Sequence, residues 1–247
     1  MTWEKNPQIE MVKNFFSTCA LIFSIVSIIG LIFTEQTRLS DEVHPALAVF
    51  CLLFAVLWLS VVEGGQASLV GLAPVDRELY KESHPTAYKC SVLSHTGDQL
   101  DRYLLGRQFM VVFIVFTVNV SGGPIKDAEL WGYPQILIDI FFGAGLAMIL
   151  FTTMVGQLNS QVNASHCMLD YLNNFVNYAT LIVALAIEYS GLVHASYIIQ
   201  IVVSALAGQE VESNEAPKTG VQNLFFFGRC FMSLGILIFA FAVTLVA

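Results

Sequence analysis

The chain has 247 residues, of which 56% are hydrophobic and only 12% are charged, and its mean hydropathy is +0.69. Soluble domains carry roughly twice that share of charged residues, so the composition excludes an ordinary soluble protein and indicates an integral membrane protein. The apolar stretches are continuous rather than alternating, which excludes an outer-membrane β-barrel. The 11 Lys and Arg residues form no basic run, so nothing supports binding to nucleic acid.

A spanning helix needs about 20 mostly apolar residues, and six apolar regions are close to that length or longer. They are residues 15–33, 45–62, 103–121, 134–158, 171–208 and 224–247. The sequence therefore predicts an all-α, polytopic membrane helix bundle of about six spans. With six spans, the Lys and Arg residues between spans favour a cytoplasmic N-terminus.

The fifth region is too long for one straight span. As a helix, residues 171–208 would be roughly 57 Å long, whereas the hydrocarbon core is about 30 Å thick. We predict a kink or break between Glu188 and His194, because Gly191 weakens the helix there. Whether the region is one broken span or two short spans stays open from the sequence.

Two polar motifs lie at the edges of apolar regions. Glu63-Gly64-Gly65-Gln66 closes the second region, and Gly106-Arg107-Gln108 opens the third. Polar groups are costly in hydrocarbon, so such residues usually line a cavity or pathway. Glycines beside them would let a helix unwind and offer backbone carbonyls to a ligand. Because one loop joins the two regions, we expect the motifs to converge. The predicted substrate-binding residues are Glu63, Gly64, Gly65, Gln66, Gly106, Arg107 and Gln108.

Further polar residues lie inside the apolar regions. Helical spacing places Asn173, Asn177, Thr180 and Glu188 on one face of the fifth region, which predicts a lined pathway or an ion site. The alternative is a buried carboxylate that is paired for packing or protonated. Asp139 in the fourth region either lies at the depth of the membrane interface or belongs to the pathway.

The remaining polar and glycine patterns carry weaker predictions. His194 is six residues from Glu188, so helical spacing does not place the two on one face. Gly143 and Gly145 favour close helix packing. His166, Cys167 and Asp170 are too few for a zinc site, and no metal site is predicted. Without a catalytic motif, the sequence predicts no catalytic residues and no enzyme.

Several segments together resemble the diatom silicon transporters, over essentially the whole chain. They are the EGxQ motif at 63–66, the GRQ motif at 106–108, VGLAPVDRELYK at 70–81, DRYLL at 101–105, QVNASHCMLD at 161–170 and IEYSG at 187–191. The resemblance implies uptake of silicic acid across the plasma membrane, with sodium as the coupling ion and no cofactor. A homo-oligomer stays open.

Full-length members of that family have about ten spans in two five-span repeats, each with its own EGxQ–GRQ pair. This chain has one pair, so it resembles an N-terminal half. The resemblance implies a first repeat at residues 1–208, followed by an acidic loop and the first helix of a truncated second repeat at 209–247. We expect that one repeat does not transport alone, because alternating access needs two elements that move about a central site.

Two other functions stay open from the residues alone. One is a channel for small neutral solutes, which would be independent of sodium and would not saturate. The other is a structural or assembly subunit of a membrane complex, in which the polar motifs only cap helices.

Overall fold

The computed structural model describes residues 7–209 and 219–246, and the regular elements in those ranges are helices. The α-helices are α1 Pro7–Phe33, α2 Pro45–Leu72, α3 Pro85–Ser94, α4 Gln99–Gly122, α5 Gln135–Leu137, α6 Leu146–Phe151, α7 Asn159–His166, α8 Met168–Leu172, α9 Phe175–Tyr189, α10 Ala195–Ala207 and α11 Gly220–Val246. A 3₁₀ turn covers Arg77–Tyr80, and π-helical stretches cover Ile138–Gly143 and Thr152–Leu158. The prediction of an all-α bundle is confirmed.

Four helices in the described ranges are long and apolar enough to cross a membrane. They are α1, α2, α4 and the Gly220–Ala240 part of α11, which correspond to the first, second, third and sixth predicted regions. The fourth region becomes a fifth candidate only if its two bent arms count as one span. The described helices therefore provide four or five candidate spans rather than the six predicted.

The fourth region bends by 51° between Gln135–Gly143 and Leu146–His166. Gly145 lies at the bend with φ of 73°, a left-handed conformation that glycine adopts without a steric cost. A Cβ at Gly145 would meet no atom within 4 Å, and one at Gly143 would meet only the Ile138 carbonyl oxygen, at 3.9 Å. The prediction that these glycines allow close helix packing was therefore wrong, and Gly145 serves the bend instead.

The fifth region is broken where the sequence predicted. Helix α9 ends at Tyr189 and α10 begins at Ala195, with Gly191 at φ of 90° between them. With 15 and 13 residues, the helices are about 22 and 20 Å long, so each is shorter than the hydrocarbon core. The region is two short helices rather than one long one.

Contacts divide the chain into two compact units, each made of two stretches of sequence. The first unit comprises residues 1–64 and 112–163, and the second comprises residues 65–111 and 164–247. These units are defined by contacts within the fold and not by sequence repeats. The repeat boundary at residue 208 therefore stays a prediction. Most of the acidic loop that follows the boundary, residues 210–218, lies outside the described residues.

The first unit packs α1 against α6. One of its clusters joins Leu31 of α1 to Ala128, Leu130 and Phe142, all of which are buried. The loop after α1 is fixed by hydrogen bonds, because the Thr37 hydroxyl donates to the carbonyl of Ser121 over 3.0 Å. These contacts explain how a polar loop is held against the end of α4 within this unit.

In the second unit, α3 packs against α8 and α9. The backbone N–H of Thr86, at the start of α3, donates to the side-chain oxygen of Asn173 over 2.9 Å. His84 lies next to Asp170, with 3.2 Å between the imidazole Nε2 and a carboxylate oxygen. The segment between α2 and α4 is therefore an ordered layer of the second unit.

Cys90 in α3 provides a chemical test of that layer. The residue is fully buried, and burial raises the pKa of its thiol to about 11. Because the thiolate is the reactive species, we expect Cys90 to react with N-ethylmaleimide at pH 8 at least about 100-fold more slowly than an exposed thiol. Cys167 of the same unit is exposed and serves as the internal control. Mass spectrometry of the labelled peptides measures both rates, and equal rates would contradict the packing of α3.

Candidate functional site

In the first unit, Glu63 is a buried carboxylate with two amide partners. Its side chain is 4% exposed, and the Gln161 amide donates to one carboxylate oxygen over 2.8 Å. The Gln157 amide approaches the other oxygen at 3.4 Å, a longer and weaker hydrogen bond. A buried carboxylate needs such donors, because an ion without partners in a medium of low polarity costs several kcal/mol.

The backbone that carries these amides has an unusual shape. Gln157 lies in the π-helical stretch Thr152–Leu158, and Gln161 follows in α7. The stretch approaches α2 closely, because a Cβ at Gly156 would lie 2.9 Å from the Leu59 side chain, one helical turn before Glu63. π-Helical turns are rare and occur frequently at functional sites. They cannot be identified from hydropathy, so the sequence predicted neither Gln157 nor Gln161 as a partner of Glu63.

In the second unit, Gly65 allows an amide to approach α2. A Cβ at Gly65 would lie 2.7 Å from the side-chain oxygen of Asn177 and 3.6 Å from the Tyr103 hydroxyl. The Asn177 amide nitrogen is occupied elsewhere, since it donates to the carbonyl of Tyr171 over 2.7 Å. Gly65 therefore makes room for a polar group that lies directly against the helix backbone.

Gly106 has a closer contact than Gly65. A Cβ there would lie 1.9 Å from the backbone oxygen of Ala184, so α4 and α9 touch backbone to backbone within the second unit. Helix α2 continues unbroken past Gly64 and Gly65, and α4 continues past Gly106. The prediction that the motif glycines let the helices unwind was therefore wrong. Gly65 and Gly106 instead allow close approach of neighbouring groups.

The other members of the two motifs differ in exposure. Arg107 is 6% exposed, Gln66 is half-buried and Gln108 is exposed. The Arg107 guanidinium contacts the Gln108 side-chain oxygen at 3.3 Å. Gln66, Arg107 and Gln108 belong to the second unit and Glu63 to the first, and the convergence of the two motifs stays a prediction.

The polar stripe of the fifth region is present on α9, with one correction. Asn177, Thr180 and Glu188 are buried on the helix, between 5% and 6% exposed. Asn173 lies before α9, where its side chain accepts the Thr86 hydrogen bond, so it is not part of the helical stripe. The expectation that all four residues share a helix face was wrong, because α9 begins only at Phe175.

Asp139 belongs to the first unit, whereas the stripe on α9 belongs to the second. It is exposed, and the Gln135 amide donates to its carboxylate over 2.9 Å. Both residues line a cavity of about 480 Å³, together with Arg38, Lys126, Asp127 and Glu129. Its role in a pathway stays a prediction.

Glu188 also has partners that helical spacing did not predict. The Tyr197 hydroxyl donates to its carboxylate over 3.0 Å, and the His194 Nε2 lies 3.7 Å from the same oxygen. The chain turns at Gly191, and this turn brings residues of α10 back onto the end of α9. Counting helical positions across a break therefore separated two residues that the fold brings together.

The family model described as silicon transporter matches residues 5–247 of the chain. The chain belongs to the silicon transporter family. No curated protein and no solved structure gives a match. Together with the apolar helices, membership makes this silicon transporter an integral membrane protein. The buried polar groups described above thus belong to a protein from a family of transporters rather than of enzymes.

Proposed function

We propose that this silicon transporter takes up orthosilicic acid across the plasma membrane by sodium symport, with its N-terminus in the cytoplasm. The observation that carries the proposal is the match to the silicon transporter family over residues 5–247. The buried carboxylate of Glu63, which accepts hydrogen bonds from two amides, supports the proposal as a polar group that could bind a hydroxylated substrate.

Orthosilicic acid is small, largely uncharged near neutral pH and covered by hydroxyl groups. A site that recognises it needs several groups that accept and donate hydrogen bonds. The carboxylate of Glu63 can accept hydrogen bonds, and the guanidinium of Arg107 can donate them. The side-chain amides of Gln66 and Gln108 can both donate and accept hydrogen bonds. A site built to bind hydroxyls also rejects analogues that lack them, because its buried polar groups would stay unpaired. We assign these four side chains to substrate recognition.

The stripe on α9 supports a polar pathway. Asn177, Thr180 and Glu188 are buried on a helix whose other positions are mostly apolar. Polar residues within membrane segments commonly face a pathway or a cavity, because exposure to lipid is costly. We propose that this face of α9 contributes to the route of the substrate.

Sodium coupling is tested in liposomes that contain the purified chain. We expect saturable silicic acid uptake that rises at least about tenfold when an inward sodium gradient replaces an equal choline gradient, as expected where ion binding drives the transport cycle. Uptake that neither saturates nor depends on sodium would indicate a channel. No uptake from any preparation would favour a structural or assembly subunit.

We also propose that the transporting form is a homo-oligomer, and the same preparation tests this. We expect separated monomers to be inactive and homodimers to be active, because alternating access needs two elements around a central site. Size-exclusion chromatography with light scattering defines each fraction before reconstitution. Saturable uptake by the monomer would show that a single copy suffices.

A further inference from the structure

Three polar side chains meet at the break between α9 and α10. Tyr197 and His194 both approach one carboxylate oxygen of Glu188, at 3.0 and 3.7 Å. Glu188 is 6% exposed and His194 is 3% exposed. The His194 ring also packs edge-on against the Tyr197 ring, with 5.2 Å between the centroids, so the three groups form one compact cluster.

The ligand chemistry of this cluster does not suit a sodium ion. Hard cations bind sets of oxygen ligands, whereas imidazole suits transition metals. Here one carboxylate and one phenol supply oxygens, and the third partner is a nitrogen base. A carboxylate and an imidazole within 4 Å are, by contrast, two groups that bind the same small ligand, a proton.

We propose that Glu188 and His194 form a proton-binding site, completed by Tyr197, and that silicic acid uptake depends on its occupancy. With one proton the pair has no net charge, whichever of the two residues holds it. Loss of the proton leaves a buried carboxylate, and a second proton leaves a buried cation, and either charge is costly inside a protein. The singly protonated pair is therefore the state in which the site carries no net charge.

Groups on the neighbouring helices bear on the charge of this site. From α4, the charges of Asp101 and Arg102 act on Tyr197 with opposite signs. From α11, Arg229 stacks on the Tyr189 ring at 5.0 Å and donates to the Tyr189 carbonyl, so its charge is placed at the last residue of α9. The cluster therefore has both positively and negatively charged side chains near it.

The site lies where a change in charge can act on the backbone. The Ser233 hydroxyl of α11 donates to the carbonyl of Leu192 over 2.6 Å and accepts from the N–H of Ala195 over 3.0 Å, which fixes the turn between α9 and α10. His194 lies inside that turn. When the pair loses its proton, the shared proton no longer holds the turn against the end of α9, and the break loosens.

Thermal unfolding of the full chain in detergent tests the proton site without reference to transport. Between about pH 5.5 and pH 8.5, the interval in which an imidazole titrates, the wild-type melting temperature should fall in one step of at least about 3 °C. Glu188→Gln and His194→Gln should lose the step. The controls His166→Gln and Glu82→Gln change exposed residues of the same unit and should keep it.

Tyr197→Phe separates a proton site from a purely structural contact, and it tests the site even if the other two variants fail to fold. The substitution keeps the ring and removes the hydroxyl that stabilises the ionised carboxylate, so the midpoint of the step should move to higher pH. An unchanged midpoint, or a step that persists in His194→Gln, would overturn the proposal.

The dependence of uptake on the site rests on the proposed function and has its own measurement. In liposomes, wild-type uptake should change at least threefold between about pH 5.5 and pH 8.5, and that of His194→Gln should stay level across the same range. Robust uptake with identical pH profiles in both proteins would overturn this inference and leave the proposed function intact. Absent uptake with an intact melting step would reject the proposed function and leave the proton site.

Discussion

Gly106→Ala should destabilise the transporter more than Gly65→Ala, the equivalent change in the other motif. The new Cβ would lie 1.9 Å from the Ala184 carbonyl oxygen, which belongs to the backbone and cannot rotate away. Helices α4 and α9 would have to separate, at a cost of about 3 kcal/mol or more. For a chain of this size, the melting temperature in detergent should fall by about 10 °C.

The matched control for this prediction is Gly235→Ala in α11. A Cβ at Gly235 would meet no atom within 4 Å, and alanine is the better helix former, so the melting temperature should stay level or rise. Equal melting temperatures for the two variants would show that the contact at Gly106 is not tight. Loss of uptake in Gly106→Ala at full stability would instead assign the glycine directly to the substrate.

Exchanging the side chains of Glu63 and Gln161 should separate a structural role of the Glu63 carboxylate from a functional one. Gln161→Glu alone places a second carboxylate where an amide now lies 2.8 Å from Glu63, and we expect about 3 kcal/mol of destabilisation from the buried repulsion. Adding Glu63→Gln restores one carboxylate and one amide. The double variant should recover most of the stability, whereas silicic acid uptake should stay reduced at least about tenfold, because the carboxylate has moved.

The measurements for this exchange are melting temperature and liposome uptake for both single variants and the double variant. Glu42→Gln, an exposed position in the same unit, is the control and should match the wild type in both. A double variant that is no more stable than Gln161→Glu would contradict the pairing of the two side chains. Full recovery of uptake would show that the position of the carboxylate does not matter for the substrate.

The sequence predicted those parts of the fold that depend on the length and composition of a segment. Hydropathy alone located α1, α2, α4 and α11, because a spanning helix needs a continuous apolar run. The break near Gly191 followed from excess length and a flexible residue. The bend at Gly145 was missed, because a glycine in an apolar run is equally compatible with close packing and with a left-handed turn.

The site was harder to predict, because its contacts join distant parts of the chain. Glu63 was identified because a carboxylate is energetically costly in hydrocarbon. Its partner Gln161 lies 98 residues further along the chain, where no local pattern links the two. The pairing of Glu188 with His194 depends on a turn that helical spacing cannot represent. Asn173 was assigned to a helix that begins only after it. Sequence therefore identifies residues that need partners better than it identifies the partners.

The π-helical stretch Thr152–Leu158 has a consequence for length variation in this protein. Such a stretch commonly corresponds to one residue inserted into an α-helix, and the hydrogen bonds around it absorb the extra residue. Deleting one residue there would restore α-helical winding and would turn Leu146–Phe151 by about 100° relative to α7. The face of α6 that packs against α1 would then point elsewhere. Deletion of a single residue should therefore be tolerated in the loops but not in this stretch.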